Sequence, residues 1–232
     1  MTRILIIEDD KDLCRILRLQ LQHHGYEIAE ARDGLEGFLT FQQWNPDVVM
    51  LDIALPKMDG WTVCQRIRAQ SDAPILMMTA HAVTEQDIAR GLDMGADEYM
   101  LKPLGKIELH SRIKALLRRA KYSSFEENEV TQYQDNYLSV DVPLRQVVID
   151  GNMTKLTPTE FKLLETFIRH PGKVLSFERL LEEVWGVEYR DEHHYPRIYV
   201  SHLRRKIEPD IKNPTYIQNE YGIGYRFVGS VT

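Results

Sequence analysis

Residues 4–10 read Ile-Leu-Ile-Ile-Glu-Asp-Asp, a run of four apolar residues that ends in three carboxylates. An uninterrupted apolar run of this length predicts a strand buried on both faces, which is typical of a parallel sheet covered by helices. In such sheets, ligands bind where the carboxyl ends of the strands meet. The stretch therefore predicts an α/β fold with its functional groups at the strand ends.

The same pattern recurs along the first half of the chain. Apolar runs occupy residues 48–51 and 75–78, weaker strand patterns lie at 26–30 and 98–101, and segments with helical spacing separate them. Five strands alternating with helices predict a doubly wound five-stranded parallel sheet. The polar residues that follow its central strands are Glu8, Asp9, Asp10, Asp52, Thr79 and Lys102.

These side chains suit a phosphoryl group. Carboxylates from two strand ends require a cation, because crowded like charges raise each other's pKa, and Mg2+ meets this need with oxygen ligands. Lys102 adds a positive charge and Thr79 adds a hydroxyl donor. An aspartate can act as the nucleophile and form an aspartyl phosphate. Taken singly, Asp9 or Asp10 is equally well explained as the N-cap of the next helix.

Four strings at these strand ends resemble the receiver domain of bacterial two-component response regulators. They lie at residues 4–10, 52–60, 78–80 and 96–103. The resemblance implies phosphorylation of Asp52 by a sensor histidine kinase. It further implies Mg2+ bound by Glu8, Asp9, Asp52 and the Ala54 carbonyl, phosphoryl oxygens held by Thr79 and Lys102, a cis peptide before Pro103, and Tyr99 as the switch aromatic that turns inward.

The second half of the chain has a different pattern. Alternation at residues 137–141 and 147–149 predicts an antiparallel sheet, and Thr157-Pro158-Thr159-Glu160 is a capping box that predicts a helix start. Further helices are expected from about 176 to 185 and from near His194. The last of these has an apolar stripe, which consists of Pro196, Val200, Leu203 and Ile207.

The reverse side of that third helix is rich in basic residues. Stepping about 100° per residue places Ser201, His202 and Arg205 directly opposite the apolar stripe. Arg197 and Arg204 fall on one flank, and Tyr199 and Lys206 fall on the other. A solvated charged surface is the plain alternative to a binding face for such a run.

This half resembles the winged-helix output domain of OmpR/PhoB-type response regulators, through the strings at 156–164, 170–176, 203–207 and 222–227. The resemblance implies promoter DNA as partner, with the third helix in the major groove and the hairpin wing along the neighbouring minor groove or its phosphates. RNA polymerase is implied as a further partner. Base contacts are expected from Arg197, Ser201, His202, Arg204 and Arg205, and backbone contacts from Tyr199, Lys206 and Tyr225. Tyr221 stands directly before the first glycine of the wing, where the family commonly has an arginine. The residue before it, Glu220, is acidic.

The family resemblance also implies a homodimer on phosphorylation. Two receivers typically pair through the fifth strand and the helices on either side of it. The matching charged positions here are Asp93 with Lys114 and Glu98 with Arg112. These contacts would set the register of the pair, because exposed ion pairs contribute little affinity.

Charge and composition set the remaining expectations. The chain has 232 residues and a net charge of -6, but residues 137–232 carry 13 basic and 13 acidic side chains. We expect a receiver at 1–120, a linker at 121–136 and a DNA-binding domain at 137–232. No apolar run suits a membrane span or a signal peptide, so a cytoplasmic protein is expected.

Three further expectations concern chemistry. Cys14 and Cys64 lack metal-ligand spacing and are expected to be buried free thiols. No metabolic enzyme activity is expected, because the segment after Asp52 lacks the second acid that aspartate-nucleophile phosphatases usually have. A constitutive, phosphorylation-independent dimeric regulator is the alternative function, although it would fit a degraded acidic site better than the complete one seen here.

Overall fold

The fold is described from a computed structural model, which covers residues 1–80, 90–120 and 132–229. The chain divides into two compact units, Met1–Ala120 and Lys121–Thr232. Their secondary structures differ, as the two sequence patterns predict. The first unit alternates strands with helices, whereas the second combines small antiparallel sheets with helices.

The first unit is a five-stranded parallel sheet with strand order β2-β1-β3-β4-β5. This confirms the predicted doubly wound sheet. Its strands are β1 (Arg3–Ile7), β2 (Glu27–Ala31), β3 (Val48–Asp52), β4 (Ile75–Thr79) and β5 (Glu98–Leu101). Its helices are α1 (Lys11–His23), α2 (Gly34–Trp44), α3 (Gly60–Arg68) and α4 (Lys106–Ala120), and residues 90–93 are also helical.

The central strands are buried along their whole length because helices cover both faces of the sheet. Every residue of β3 and β4 is buried, as are the last four residues of β1. One layer of the core joins Ile4, Met50 and Met78 of the sheet to Leu17 of α1 and Leu109 of α4. This packing fixes the strand ends, so the residues that follow β1, β3 and β4 have defined positions.

The second unit begins with a four-stranded antiparallel sheet. Its strands are β6 (Gln132–Gln134), β7 (Leu138–Asp141), β8 (Gln146–Ile149) and β9 (Asn152–Met153). The tight turn between β8 and β9 is formed by Asp150 and Gly151, which have φ values of 48° and 75°. Strand β6 lies inside the segment that was predicted to be linker, while residues 121–131 of that segment lie outside the described residues.

Three helices and a three-stranded sheet complete this unit. Helix α5 (Pro158–Arg169) starts with the predicted capping box, in which Thr157 and Glu160 exchange hydrogen bonds. Helix α6 (Phe177–Leu180) continues as a π-helical segment (Leu181–Trp185), and a short 3-10 helix (Val187–Tyr189) follows. Helix α7 (Tyr195–Ile207) precedes the hairpin of β11 (Ile217–Glu220) and β12 (Gly224–Phe227), which pairs with β10 (Val174–Ser176). This arrangement is a winged helix, as predicted.

The two cysteines are buried free thiols, as expected from their spacing. Burial raises the pKa of Cys14 to about 11 and that of Cys64 to about 12. Both thiols are therefore protonated and unreactive near neutral pH. Within the described parts of the chain, no helix is both long and apolar enough to cross a membrane.

Candidate functional site

An acidic pocket lies at the carboxyl ends of β1 and β3. Oxygen atoms of Glu8, Asp9 and Asp52 all lie within 4.8 Å of one another. Glu8 is 1% exposed and Asp52 is 5% exposed, whereas Asp9 faces solvent. Oxygen ligands at this spacing, open to solvent on one side, are the donor set that Mg2+ prefers. The three acids therefore come together as the sequence predicts.

Lys102, which follows β5, reaches into this pocket. Its Nζ atom lies 2.7 Å from Glu8 Oε2 and 2.8 Å from Asp52 Oδ2. The Lys102 backbone N–H donates to the Thr79 carbonyl at 2.7 Å, and the peptide bond between Lys102 and Pro103 is cis. The lysine that the sequence predicts as a phosphoryl ligand therefore contacts the predicted phosphoacceptor directly.

Burial and neighbouring charges shift the pKa values of Glu8 and Lys102 in the pocket. Burial, reinforced by the Asp52 carboxylate, raises the pKa of Glu8 although Lys102 acts to lower it. Burial acts to lower the pKa of Lys102, but hydrogen bonds to Asp52 and Glu8 outweigh it and the pKa is raised. Lys102 is therefore firmly cationic and stabilises the two carboxylates that it joins.

The neighbouring loops position these groups. Asp10 caps α1, since its Oδ1 accepts hydrogen bonds from the backbone N–H groups of Asp12 and Leu13 at 2.9 and 3.0 Å. The capping role that was open for Asp9 and Asp10 thus belongs to Asp10, which leaves Asp9 in the acidic pocket. The Ala54 N–H donates to Asp52 Oδ1 at 3.3 Å and helps to orient the carboxylate.

Tyr99 lies inward beside β4, with 5% of its surface exposed. Its ring tilts toward Trp61 at 6.3 Å, and its hydroxyl occupies the space beside Gly91. A Cβ atom at Gly91 would lie 1.2 Å from the Tyr99 hydroxyl oxygen. Gly91 therefore makes room for the inward ring. Gly91 could not be predicted from the sequence, because a glycine in a helical segment gives no sign of the side chain that packs on it.

The outer face of α7 is narrower than predicted. Arg197, Ser201 and Arg205 are exposed and form a row at i, i+4 and i+8. The predicted apolar stripe is buried as expected, but Tyr199 and His202 are buried as well, at 1% and 3% exposure. The expectations that His202 points directly away from the apolar stripe and that Tyr199 lies on an exposed flank are therefore wrong.

Neighbouring elements pack on both flanks of α7, and one of them explains the burial of Tyr199. On one flank, the Tyr199 ring packs against Trp185 at 5.0 Å and Tyr195 at 5.7 Å. On the other flank, Arg204 packs against the hairpin, and its Nε and Nη2 atoms donate to the Ile217 carbonyl and to Asn219 Oδ1, each at 3.0 Å. Helical periodicity gives the centre of a buried stripe but not its width, which depends on the neighbouring elements.

Lys206 and Tyr225 also differ from the expected exposed contacts. Lys206 Nζ lies 2.6 Å from Glu160 Oε2, so it joins α7 to the start of α5. Tyr225 is 8% exposed, packs edge-on against Phe177 at 5.7 Å and lies beneath the Arg204 guanidinium at 5.4 Å. Both side chains support the helix and wing from within the unit.

The predicted dimer contacts fall into two groups. Asp93 and Lys114 are exposed, as an intermolecular contact requires. Glu98 is instead fully buried and binds Arg112 at 3.1 Å and Arg119 at 3.0 Å within the same chain. The expectation that Glu98 is available at the surface is therefore wrong, because β5 and α4 enclose its carboxylate.

Comparisons with known proteins match both units. Residues 4–114 match the family described as response regulator receiver domain, and residues 151–227 match that described as transcriptional regulatory protein, C terminal. The chain is 40% identical to "Probable transcriptional regulator ycf27" of Guillardia theta, over 97% of this chain and 90% of that protein.

Solved structures also resemble the chain along its length. A mutant of RitR matches with a TM-score of 0.77 and 26% identity, over 99% of this chain and 100% of the other. The response regulator DrrB, described as a Thermotoga maritima OmpR/PhoB homologue, matches with a TM-score of 0.50 and 26% identity over the same shares.

Proposed function

The chain belongs to the OmpR/PhoB-type response regulators, and from this premise we propose that phosphorylation of Asp52 controls its binding to promoter DNA. Family membership makes it a two-component response regulator with a receiver domain and a DNA-binding domain. We further propose which side chain accepts the phosphoryl group, that two receivers pair, and which surface contacts DNA.

The acidic pocket is the observation that carries the proposal. Asp52 lies at the end of a fully buried strand, and Lys102 joins it to Glu8 through contacts of 2.7 and 2.8 Å. Such a preorganised set of charges stabilises a transferring phosphoryl group without reorganisation. Glu8, Asp9 and Asp52 would hold Mg2+, together with the Ala54 carbonyl, and the ion would offset charge on the phosphoryl oxygens.

The phosphoryl transfer would proceed as follows. An Asp52 carboxylate oxygen attacks the phosphorus atom of a phosphohistidine on the sensor kinase, and the bond between phosphorus and the histidine nitrogen breaks. The leaving histidine keeps the electron pair of that bond. Lys102 and the Thr79 hydroxyl then hold the phosphoryl oxygens, and Tyr99 is the aromatic side chain that follows the movement of Thr79.

The DNA contact would come from the outer row of α7. Arg197, Ser201 and Arg205 are exposed on one side of a helix that the rest of the unit holds firmly. A helix of this kind fits the major groove, where arginine binds guanine and serine adapts to either type of base. Arg204 lies at the edge of this row, where its guanidinium also supports the wing.

Pairing of receivers would connect the two activities. An aspartyl phosphate biases an existing equilibrium toward the associated form of the receiver, and two linked DNA-binding units then bind adjacent half-sites. Asp93 and Lys114 remain exposed for such a contact. Binding at a promoter would place the pair beside RNA polymerase.

DNA selection from random duplexes tests the proposal. The wild-type chain, Asp52→Asn and the control Asp59→Asn are each incubated with Mg2+, with and without a small-molecule phosphodonor. Asp59 is an exposed N-cap of α3, and asparagine caps helices equally well. We expect enrichment of a repeated site with donor for wild type and Asp59→Asn, but not for Asp52→Asn. Equal enrichment under all conditions would instead support the constitutive regulator.

Sedimentation tests the pairing step separately. With Mg2+ and a phosphate mimic, the wild-type chain is expected to shift toward a dimer, whereas Asp52→Asn stays monomeric. A wild-type chain that remained monomeric at high protein concentration would contradict pairing but would leave the DNA contact of α7 in place.

A further inference from the structure

The loop that follows Asp52 contains a strained turn. Residues 53–59 join β3 to α3, and Lys57 within them has a φ of 62°. The Met58 N–H donates to the Pro56 carbonyl at 2.7 Å and closes a three-residue turn around Lys57. Three-residue turns with a positive φ at the centre are rare and strained, and lysine lacks the freedom of glycine in this region. Such a conformation persists only where surrounding contacts hold it.

The Lys57 side chain joins this turn to the start of α2. Its Nζ atom lies 2.5 Å from Asp33 Oδ2. The Asp33 side chain is 9% exposed and also caps α2, because its Oδ1 accepts from the Glu36 N–H at 2.8 Å. The Glu36 N–H and then the Lys57 ammonium lower the pKa of Asp33, so its carboxylate is ionised at neutral pH. We call Lys57 and Asp33 the loop latch.

The backbone of the turn also lies against α2. The Gly34 N–H donates to the Pro56 carbonyl at 3.3 Å, which is a long hydrogen bond. A Cβ atom at Gly34 would lie 1.9 Å from the Met58 carbonyl oxygen, so glycine is needed for this close approach. The loop latch is the ionic contact that accompanies this weak backbone contact.

The other end of the loop belongs to the acidic pocket. The Ile53 N–H donates to the Met78 carbonyl at 3.2 Å. The Ala54 N–H donates to Asp52 Oδ1 at 3.3 Å. Ala54, whose carbonyl is the proposed Mg2+ ligand, therefore lies between the pocket and the turn that starts at Pro56. Mg2+ requires near-ideal octahedral geometry, so a displaced carbonyl would be a poor ligand.

We propose that Lys57 and Asp33 are positioning residues for Mg2+, because the loop latch holds the strained turn against α2 and thereby keeps the Ala54 carbonyl in place. This inference rests on the proposed function, in which Ala54 helps to bind the ion beside Asp52. The Lys57 side chain is 66% exposed, and exposed ion pairs contribute little, so we expect a weakening of Mg2+ binding rather than its loss.

Calorimetric titration of Mg2+ into the unphosphorylated full chain tests the inference. The variants are Lys57→Met, Lys57→Gly, Asp33→Asn and the double variant Asp33→Asn with Lys57→Met. Asparagine keeps the cap of α2 but removes its charge. Lys155→Met is the control for loss of an exposed lysine. Asp59→Asn is the control for an N-cap, since the Asp59 carboxylate binds Thr62 instead of a lysine.

The sign of the effect separates the loop latch from simple electrostatics. Lys57→Met removes a positive charge, which by charge alone would tighten the binding of a cation. We expect it instead to weaken Mg2+ binding by roughly two- to fivefold, the range of an exposed ion pair. The double variant keeps the wild-type net charge and should bind as weakly as Lys57→Met. Lys57→Gly should recover most of the affinity, because glycine adopts a positive φ without strain.

Phosphoryl incorporation from a small-molecule donor gives a second readout. For Lys57→Met, the Mg2+ concentration at half-maximal rate should rise by the same factor as the dissociation constant. The rate at saturating Mg2+ should stay close to that of the wild type. A variant with a damaged fold would instead have a lower saturating rate and a lower melting temperature. Both control variants should behave like wild type in both measurements.

The possible failures are distinct. If the wild type binds Mg2+ and is labelled, but Lys57→Met binds Mg2+ equally well or more tightly, the loop latch is refuted while the proposed function stands. Equal weakening by Lys57→Gly and Lys57→Met would also refute it, since relief of the strained turn would then be without effect. If the wild type neither binds Mg2+ nor is labelled, the proposed function and the loop latch both fail.

Discussion

The acidic pocket and the outer row of α7 carry their charges in different ways. In the pocket, Glu8 and Asp52 are almost fully buried and Lys102 contacts both of them. On α7, Arg197 and Arg205 face solvent on a helix whose other sides are packed. The pocket is an electrostatic site assembled from buried groups, whereas the charges of the α7 row lie at the surface. We therefore expect substitutions in the pocket to change phosphoryl transfer. Substitutions on α7 should change either the stability of the unit or its binding to DNA.

The largest expected effect is at Asp52. Asp52→Asn should abolish phosphoryl incorporation from a small-molecule donor in the presence of Mg2+, because the amide oxygen is a far weaker nucleophile than a carboxylate. Intact-protein mass spectrometry measures the incorporated phosphoryl group. Asp59→Asn is the control and should be labelled like wild type. Full labelling of Asp52→Asn would mean that another side chain is the acceptor and that the pocket has a different role.

The second effect concerns the buried flank of α7. Tyr199→Ala should lower the free energy of unfolding by about 3 to 5 kcal/mol, because it removes a ring packed between Trp185 and Tyr195. Urea denaturation followed by circular dichroism measures this loss. Tyr199→Phe keeps the ring and should cost much less, and Ser201→Ala on the exposed row should be nearly neutral. A stable Tyr199→Ala chain with weakened DNA binding would show that Tyr199 contacts DNA after all.

The difference between the two regions also explains what the sequence predicted well. The ends of β1, β3, β4 and β5 meet at one edge because a parallel sheet is built in only a few ways, so strand position alone brings Asp52 and Lys102 together. On α7, the centre of the buried stripe was predictable, but its width depends on Trp185 and on the hairpin. The wrong expectation for Tyr199 followed from this, because Trp185 packs against its ring.

Two other features required neighbours that the sequence does not reveal. Strand β6 was predicted as linker because Gln132, Tyr133 and Gln134 are mainly polar, and it becomes a strand by pairing with β7. Glu98 was expected at the surface because its position matches a dimer contact of the family, but Arg112 and Arg119 enclose it. In each case the deciding partner is distant in sequence or on a separate element, where local pattern carries no information.

The third prediction tests whether Gly91 holds the inward position of Tyr99. Gly91→Ala should lower the free energy of unfolding by about 1 to 3 kcal/mol, since the added Cβ would lie 1.2 Å from the Tyr99 hydroxyl oxygen. Denaturation of the single variants and of Gly91→Ala combined with Tyr99→Ala gives a double-mutant cycle. We expect the smaller side chain to relieve most of the cost.

Gly105→Ala is the control for that cycle, because a Cβ atom there would meet Glu108 at an ordinary 3.5 Å. It should cost less than Gly91→Ala and should show no coupling to Tyr99→Ala. If Gly91→Ala behaves like Gly105→Ala, the ring of Tyr99 moves away freely, and its inward position is not held by packing at Gly91.

The smallest expected effect separates the two roles of basic residues on α7. Lys206→Met should leave the salt dependence of DNA binding unchanged, because the Lys206 ammonium lies 2.6 Å from Glu160 and is committed to the start of α5. Arg205→Met, one position away on the exposed row, should reduce the slope of log K against log salt by about 0.9 if Arg205 neutralises a phosphate. Each substitution removes one positive charge, so the two variants are matched in net charge. Equal slopes for the two variants would mean that the ion pair with Glu160 opens when DNA binds, and the packed flank of α7 would then belong to the interface.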